Sequence, residues 1–309
     1  MRLVFLGTPE FAVPSLDAVV RGGHEIAAVL TQPDRPRGRG QRTGFSPVKE
    51  AALRLGLTVY QPERVRRPEA VEYLRNRAPE AMVVVGYGQI IPQVVIDLAP
   101  LGIINVHGSL LPAYRGAAPV QWAIARGETR TGVTTMRIDE GLDTGDMLLK
   151  AETEIGPEEN AAELGRRLAT MGADLLVRTL EGLARGAIVP EKQDSSRATL
   201  APILKKEDGL IDWTLPATAI HNRVRGFQPW PGAYTSFRGQ TLGIWRSRVR
   251  EGQGIAGEFA TTRPPAVFSG DGILELLEVQ LEGRKRVSGA DFANGQRLAE
   301  HERLGEQHT

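Results

Sequence analysis

Residues 81–107 read AMVVVGYGQIIPQVVIDLAPLGIINVH: two apolar runs, Ala81–Val85 and Ile103–Val106, separated by a stretch rich in Gly and Pro. Each run is short and largely β-branched, the second interrupted only by Asn105, as expected of strands buried on both faces of a parallel sheet. Toward the amino terminus the same texture returns. Leu3-Val4-Phe5-Leu6, stopped by Gly7, predicts a buried strand, and residues 11–21 predict a helix whose Phe11, Leu16, Val19 and Val20 share a face. A strand over Ile26–Leu30, a helix over 48–55, a strand over 57–60 and a helix over 68–77 follow. This alternation predicts an α/β domain with a doubly wound, mostly parallel sheet. Ligands of such sheets sit outside the carboxyl ends of the strands, and Asn105 and His107 fall at one of those ends.

Toward the carboxyl terminus a strand is expected over Gly132–Ile138. Residues 160–185 form an amphipathic helix carrying Leu164, Leu168, Leu175, Leu176, Leu180 and Leu183, ended by Gly186. From 187 to 208 the pattern dissolves into polar, Pro-interrupted sequence, whereas 31–50 is too rich in Gly, Pro and Arg for a regular element. A short helix is expected over 216–225. Beyond it, alternating runs (Ala233–Phe237, Thr241–Val249, Ile273–Val279) are separated by Gly-containing turns, the spacing of a small all-β barrel or sandwich. The expected organisation is a domain over 1–187, a linker over 188–207 and a second domain over 208–309.

The 309 residues leave room for two domains, and a composition of 41% hydrophobic and 24% charged residues with mean hydropathy −0.22 is that of a soluble globular chain. There are no cysteines, which excludes disulfides, a thiol nucleophile and thiolate-ligated metals. The opening apolar run is broken by Gly7 and Pro9, and no stretch approaches the roughly 20 apolar residues of a membrane span. A cytoplasmic protein without a membrane partner is expected. Net charge is only +1, so local clusters carry more information. Arg35, Arg37, Arg39, Arg42 and Lys49 crowd residues 34–49 against Asp34, while Arg64, Arg66, Arg67, Arg75 and Arg77 suit a solvated face. Residues 208–309 hold twelve Lys and Arg against twelve Asp and Glu. Arg246, Arg248 and Arg250 nevertheless alternate on a predicted strand and would share one face, able to track a phosphate backbone or simply to solubilise it. Arg284, Lys285 and Arg286 make a second basic spot.

The densest run of unusual residues is INVHGSLLPAYRGAAPVQWAI (104–124), followed by GLDTGD (141–146). Asn105 and His107 are two apart on a strand, so their side chains point the same way. Asp143 follows in a Gly-flanked loop. An amide, an imidazole and a carboxylate suit acyl transfer to an amine, in which a proton must leave the amine and an oxyanion must find donors. With no cysteine and no Gly-x-Ser-x-Gly elbow, direct attack by the amine is the simpler scheme. A single histidine is more often structural than catalytic, and Asp143 alone could serve a turn beside Gly141 and Gly145. His24, His221, His301 and His308 receive no catalytic role.

The string NVHGSLLPAYRGAAPVQWAI with GLDTGDM resembles the folate-dependent formyltransferases. A narrower resemblance, to the methionyl-tRNA formyltransferases, spans nearly the whole chain through FLGTPEFAVPSL (5–16), TQPDRPRGRG (31–40), SPVK (46–49), VVVGYGQIIP (83–92), KKEDGLIDW (205–213), FQPWPGAY (227–234) and SGADFANG (288–295). It implies a Rossmann-like formyltransferase domain followed by an OB-like β-barrel. It implies that Asn105 donates to the developing oxyanion and that His107 does the same or acts as the acid–base group. Asp143 would hold His107 in its productive tautomer and help accept the amine proton. Ser109, Leu110, Leu111 and Pro112 would line the folate pocket, with 10-formyltetrahydrofolate as donor and no metal. The loop over 34–43 would insert against the acceptor end of initiator methionyl-tRNA, with Arg39 at the functional position. Arg37, Arg42, Arg246 and Arg248 join it as tRNA-contact candidates, and a monomer is expected. Where some relatives have Lys-Lys after Arg-Gly, this chain has Gln41-Arg42. The rival readings are a formyltransferase for a small amine, a formyltetrahydrofolate hydrolase and a non-catalytic RNA-binding protein. A nicotinamide dehydrogenase fits poorly, because LGTPEF lacks the Gly-x-Gly-x-x-Gly fingerprint.

Overall fold

The computed structural model describes residues 1–37, 42–299 and 301–305. In chain order its strands are β1 (Arg2–Gly7), β2 (Glu25–Leu30), β3 (Arg35–Arg37), β4 (Arg42–Gly44), β5 (Val59–Tyr60), β6 (Ala81–Val85), β7 (Ile103–His107), β8 (Arg130–Arg137) and β9 (Met147–Glu154). They continue with β10 (Ala233–Phe237), β11 (Gln240–Arg250), β12 (Phe259–Thr262), β13 (Pro265–Phe268), β14 (Ile273–Leu281) and β15 (Val287–Ser288). The helices are α1 (Val13–Arg21), α2 (Pro47–Arg54), α3 (Pro68–Arg77), α4 (Gln93–Ile96), α5 (Pro119–Ala125), α6 (Ala161–Ala184), α7 (Ala217–Gly226) and α8 (Gly289–Gln296). Two compact units result. One comprises Met1–Gly116, Thr131–Thr153 and Gly165–Leu200; the other comprises Ala117–Arg130, Glu154–Leu164 and Ala201–Thr309.

The first unit is built on a seven-stranded sheet of order β5-β2-β1-β6-β7-β8-β9. From β5 to β7 all pairs are parallel, and β8 runs antiparallel to β7. Leu3, Phe5, Val83 and Val85 pack on one face of the sheet, and Val4, Leu6, Met82 and Val84 on the other. Alternate residues of one strand thus enter two separate cores, which is why β1 and β6 are unbroken apolar runs. Full burial of each such side chain contributes roughly 1.5–3 kcal/mol. The chain leaves β1 toward β2 and leaves its neighbour β6 toward β7, so the connections of these two strands go in opposite directions, the arrangement that opens a crevice at the carboxyl ends of the strands.

Local chemistry sets the helix ends. Ser46 caps α2 by accepting the Lys49 N–H at 3.1 Å, with Pro47 in the first turn, where its missing N–H costs nothing. Asn160 and Glu163 form a reciprocal box at the start of α6: Asn160 Oδ1 accepts the N–H groups of Ala162 and Glu163, and Glu163 Oε2 accepts that of Asn160, all at 3.0 Å. At the far end Gly186 takes the left-handed conformation that stops the helix.

The second unit holds an antiparallel sheet of order β10-β11-β14-β13-β12, with β15 beside β14. Its core includes Trp213, Ile220, Phe237, Val267, Leu276 and Phe292. The two edges of that path are joined by the tail. Glu302 O accepts the Phe259 N–H at 3.0 Å, the Leu304 N–H reaches Gly257 O at 2.8 Å, and the Gly305 N–H reaches Ser236 O at 2.9 Å. Residues 302–305 therefore run from the start of β12 to β10, giving the sheet the barrel-like closure expected of it. In the same unit α7 seats α5. A side chain at Gly226 would meet Gln121 O and Ala125 N at 2.8 Å, and Trp122 packs edge-on against Phe227.

The fold departs from sequence expectation in places. The segment 31–50, expected to be irregular up to the helix, contains the hairpin β3–β4, in which Arg37 pairs with Arg42. Its charged, Gly-rich composition hides a ladder only three residues long. The sequence expectation lacks the short helices α4 and α5, the helix α8 and the strands β9, β12, β13 and β15. Residues 191–200, expected as part of a linker, are bonded to the rest of their unit: Glu191 pairs with Met147, and Thr199 O accepts the Arg115 N–H at 2.8 Å.

Candidate active site

Because β7 alternates, Asn105 and His107 leave its carboxyl end on one side, and the loop after β8 brings Asp143 to both. Asn105 Nδ2 donates to Asp143 Oδ1 at a long 3.5 Å, and His107 Nδ1 lies 3.7 Å from Asp143 Oδ2. The imidazole is 6% exposed and the carboxylate 18%. The other ring nitrogen, Nε2, is 2.9 Å from the Tyr114 carbonyl oxygen. Both nitrogens thus face acceptors, which fixes the ring plane. A neutral imidazole has a single N–H to offer the two.

The loop is pinned at several points. A side chain at Gly145 would meet Arg137 O at 2.0 Å, so only glycine lets residues 141–146 lie against β8. Asp143 Oδ2 accepts the Gly116 N–H at 2.8 Å, and Asp139 Oδ1 accepts from Gly141 N and Thr144 Oγ1. Asp143 itself has φ 51°, a left-handed conformation that Asp tolerates better than most residues.

The segment expected to line a folate pocket is partly occupied with its own structure. Ser109 is wholly buried and its Oγ donates to Ala113 O at 2.6 Å. Leu111 is buried with Met136 and Met147, and its N–H donates to Thr134 Oγ1 at 3.1 Å. Leu110 and Pro112 remain half-buried, so these two side chains and the backbone carry the accessible surface of the segment.

The arginine candidates fall into separate places. Arg39 lies outside the described residues, and Arg37 and Arg42 occupy facing positions of the β3–β4 ladder. At the foot of that hairpin, Lys49 pairs with Asp34, and Gln61 Nε2 donates to Asp34 Oδ1 at 2.9 Å. On β11, Arg246, Arg248 and Arg250 are all exposed and alternate with the buried Ser247 and half-buried Val249, but their neighbours differ. Arg248 and Arg250 flank the buried Glu275, with Arg250 Nη2 at 2.8 Å and Arg248 Nη1 at 3.9 Å from its Oε2. Arg246, next to a register shift in the pairing with β14, instead lines a cleft of about 600 Å³ with His221, Arg225 and Trp245.

Sequence reasoning missed Tyr114, Arg115, Gly116 and Gln193, which surround the three side chains. Tyr114, Arg115 and Gly116 lie inside the run 104–124 but receive no role from it, and no local pattern marks Gln193; the left-handed φ of 62° at Tyr114 shows how tightly the 112–116 turn is wound. Among the described residues no group of three or more His, Cys, Asp or Glu is placed to hold a metal ion, and no helix is long and apolar enough to cross a membrane.

Comparison with known proteins bears on what this site does. The formyl transferase family matches residues 1–180, and the family of formyl transferase C-terminal domains matches residues 203–297. A methionyl-tRNA formyltransferase of Solibacter usitatus is 75% identical over 310 residues, covering 100% of each chain, and one from Koribacter versatilis is 55% identical, covering 99% of each. Among solved structures, an N-formyltransferase of Helicobacter canadensis, in complex with folinic acid and dTDP-3-aminofucose, superposes with a TM-score of 0.65. It is 17% identical and covers 89% of this chain and 98% of its own, a likeness of fold alone. The mixed sheet carrying an Asn–His–Asp cluster, the antiparallel C-terminal unit and full-length identity of this order place the chain in the formyl transferase family, among the methionyl-tRNA formyltransferases.

Proposed function

We propose that residues 1–187 move the formyl group of 10-formyltetrahydrofolate onto the α-amine of initiator methionyl-tRNA, and that residues 208–309 hold the tRNA body. The observation that supports this reading is the convergence of Asn105 and His107 on Asp143 at the carboxyl end of β7. The folate supplies the formyl carbon: a bond forms from the amine nitrogen to that carbon, its bond to the folate nitrogen breaks, and the leaving nitrogen takes up a proton. Asn105 has two amide N–H groups. One points at Asp143, and the other, without a partner among the described residues, is available to an oxyanion. His107, fixed between Tyr114 O and Asp143, donates to the same oxygen or carries the proton between the two nitrogens. Asp143 orients the imidazole and helps accept the proton that the amine loses as the new bond forms. Leu110 and Pro112 offer apolar surface to the folate ring system. Arg37, Arg39 and Arg42 meet the acceptor end, and Arg246 and Arg248 meet phosphates. The protein acts as a monomer in the cytoplasm.

The test is transfer from 10-formyltetrahydrofolate to radiolabelled methionyl initiator tRNA, read as formyl-methionine after deacylation. Efficient transfer, lowered about 10²–10⁴-fold in His107→Ala, is the expected result. Transfer to a sugar-nucleotide amine without tRNA, or release of free formate at a comparable rate, would overturn the acceptor.

A further inference from the structure

A left-handed backbone at a side chain other than glycine costs roughly 1–2 kcal/mol and persists only where its surroundings hold it. At Asp143 the holding group is Gln193, which comes from the stretch between the two family matches. Its Nε2 donates to Asp143 O and to Gly145 O, each at 2.8 Å. Its Oε1 accepts from Arg115 Nε at 3.0 Å and Arg115 Nη2 at 2.9 Å. Both donors and both acceptor positions of the amide are therefore in use. Arg115 is buried, 7% exposed, and the next residue, Gly116, donates its N–H to Asp143 Oδ2. The dipeptide Arg115-Gly116 thus grips Asp143 twice, at the carboxylate directly and at the backbone through Gln193.

We infer that Gln193 is a positioning residue for formyl transfer: it fixes the left-handed backbone of Asp143, and so aims the carboxylate at Asn105 and His107. The inference rests on the reading that Asp143 takes part in the reaction, and Gln193 itself touches no reacting atom. Gln193→Glu separates the two halves of the contact. The carboxylate still accepts from Arg115, but it sets an oxygen against two carbonyl oxygens and cannot donate to them.

The experiment measures kcat and the KM for methionyl-tRNA in the full-length wild type, Gln193→Glu, Asp143→Asn and the double variant, with thermal melting of each. The expected result is a kcat about 10- to 100-fold lower in Gln193→Glu, with KM and melting temperature unchanged, and no further loss when the change is added to Asp143→Asn. An undiminished kcat, or an equal loss in both backgrounds, would show that Gln193 does not act through Asp143. Full activity in Asp143→Asn would instead overturn the role of Asp143, and the inference with it. Should the glutamate lower the melting temperature, Gln193→Ala, which sets no charge against the carbonyls, carries the same expectation and is overturned by the same results.

Discussion

Asp143 Oδ2 stands 3.7 Å from His107 Nδ1 and only 2.8 Å from the Gly116 nitrogen. The carboxylate is therefore anchored to the main chain and faces the imidazole as a charge rather than as a direct hydrogen-bond partner. An amide in its place keeps the shape and loses both the charge and one acceptor, so an NH₂ group must point at either the Gly116 N–H or the Asn105 amide. Asp143→Asn should lower kcat by about 10²–10⁴-fold, measured with saturating donor and methionyl-tRNA.

Arg39→Ala should reduce kcat/KM for methionyl-tRNA by about 10- to 100-fold, the usual worth of one nucleic-acid-contacting arginine. Folate affinity, measured by fluorescence titration of the free enzyme, should stay unchanged. A loss of folate binding instead would place the loop elsewhere.

His221 is buried, with Nδ1 3.0 Å from Ser247 Oγ. Burial first, and then the charge of Arg225, hold its pKa below the ordinary 6.5. The unfolded chain therefore binds a proton more readily than the folded one. Stability is complete above about pH 6.5 and declines as pH falls below it, until the folded-state pKa is passed. The opposing carboxylate, Glu158, is 3.9 Å away and largely exposed, so it offsets only part of this. Urea midpoints should fall between pH 7.5 and pH 5.5, and by less in His221→Gln. An equal fall in both proteins would assign the titration to another group, of which His24 is the first to examine.

Glu302 accepts from Arg238 Nη2 at 2.9 Å and from the Ala299 N–H at 3.2 Å, and its carboxyl is held below the ordinary carboxylate range despite the opposing effect of burial. Arg238 is about half exposed, which discounts the ion pair. Glu302→Ala should cost about 1 kcal/mol, read from urea unfolding followed by tryptophan fluorescence, since Trp213 lies in the adjoining core. No change would mean that the backbone bonds of 302–305 close the sheet unaided.

Strand β6 is legible in the sequence residue for residue, because a strand buried on both faces announces itself by composition alone. Strand parity likewise puts Asn105 and His107 on one side of β7 with no knowledge of the fold around them. Asp143 has weaker local support, since a Gly-flanked Asp fits an ordinary turn equally well. Gln193 leaves no trace, and Arg115 is visible only as part of the run 104–124, since their contact joins positions 78 residues apart and follows no period. The hairpin β3–β4 escapes notice because three-residue strands made of Arg, Pro, Thr and Gly have no apolar alternation to read. The alternation of Arg246, Arg248 and Arg250 is legible in the sequence and is kept in their exposure, whereas the register shifts beside Arg246 show only in the pairing with β14.

The seat of α5 on α7 also bears on how such a chain could be recombined. Arg225 donates to Gly156 O at 3.0 Å and to Glu159 O at 2.8 Å, and Phe227 is covered by Trp122. A cut through residues 188–207 would transplant α7 without these partners, leaving a buried guanidinium without its carbonyls and a naked aromatic face. Exchange of the carboxyl-terminal half between homologues therefore succeeds only where residues 117–130 and 154–164 travel with it or already match, which ties the inheritance of the two halves together.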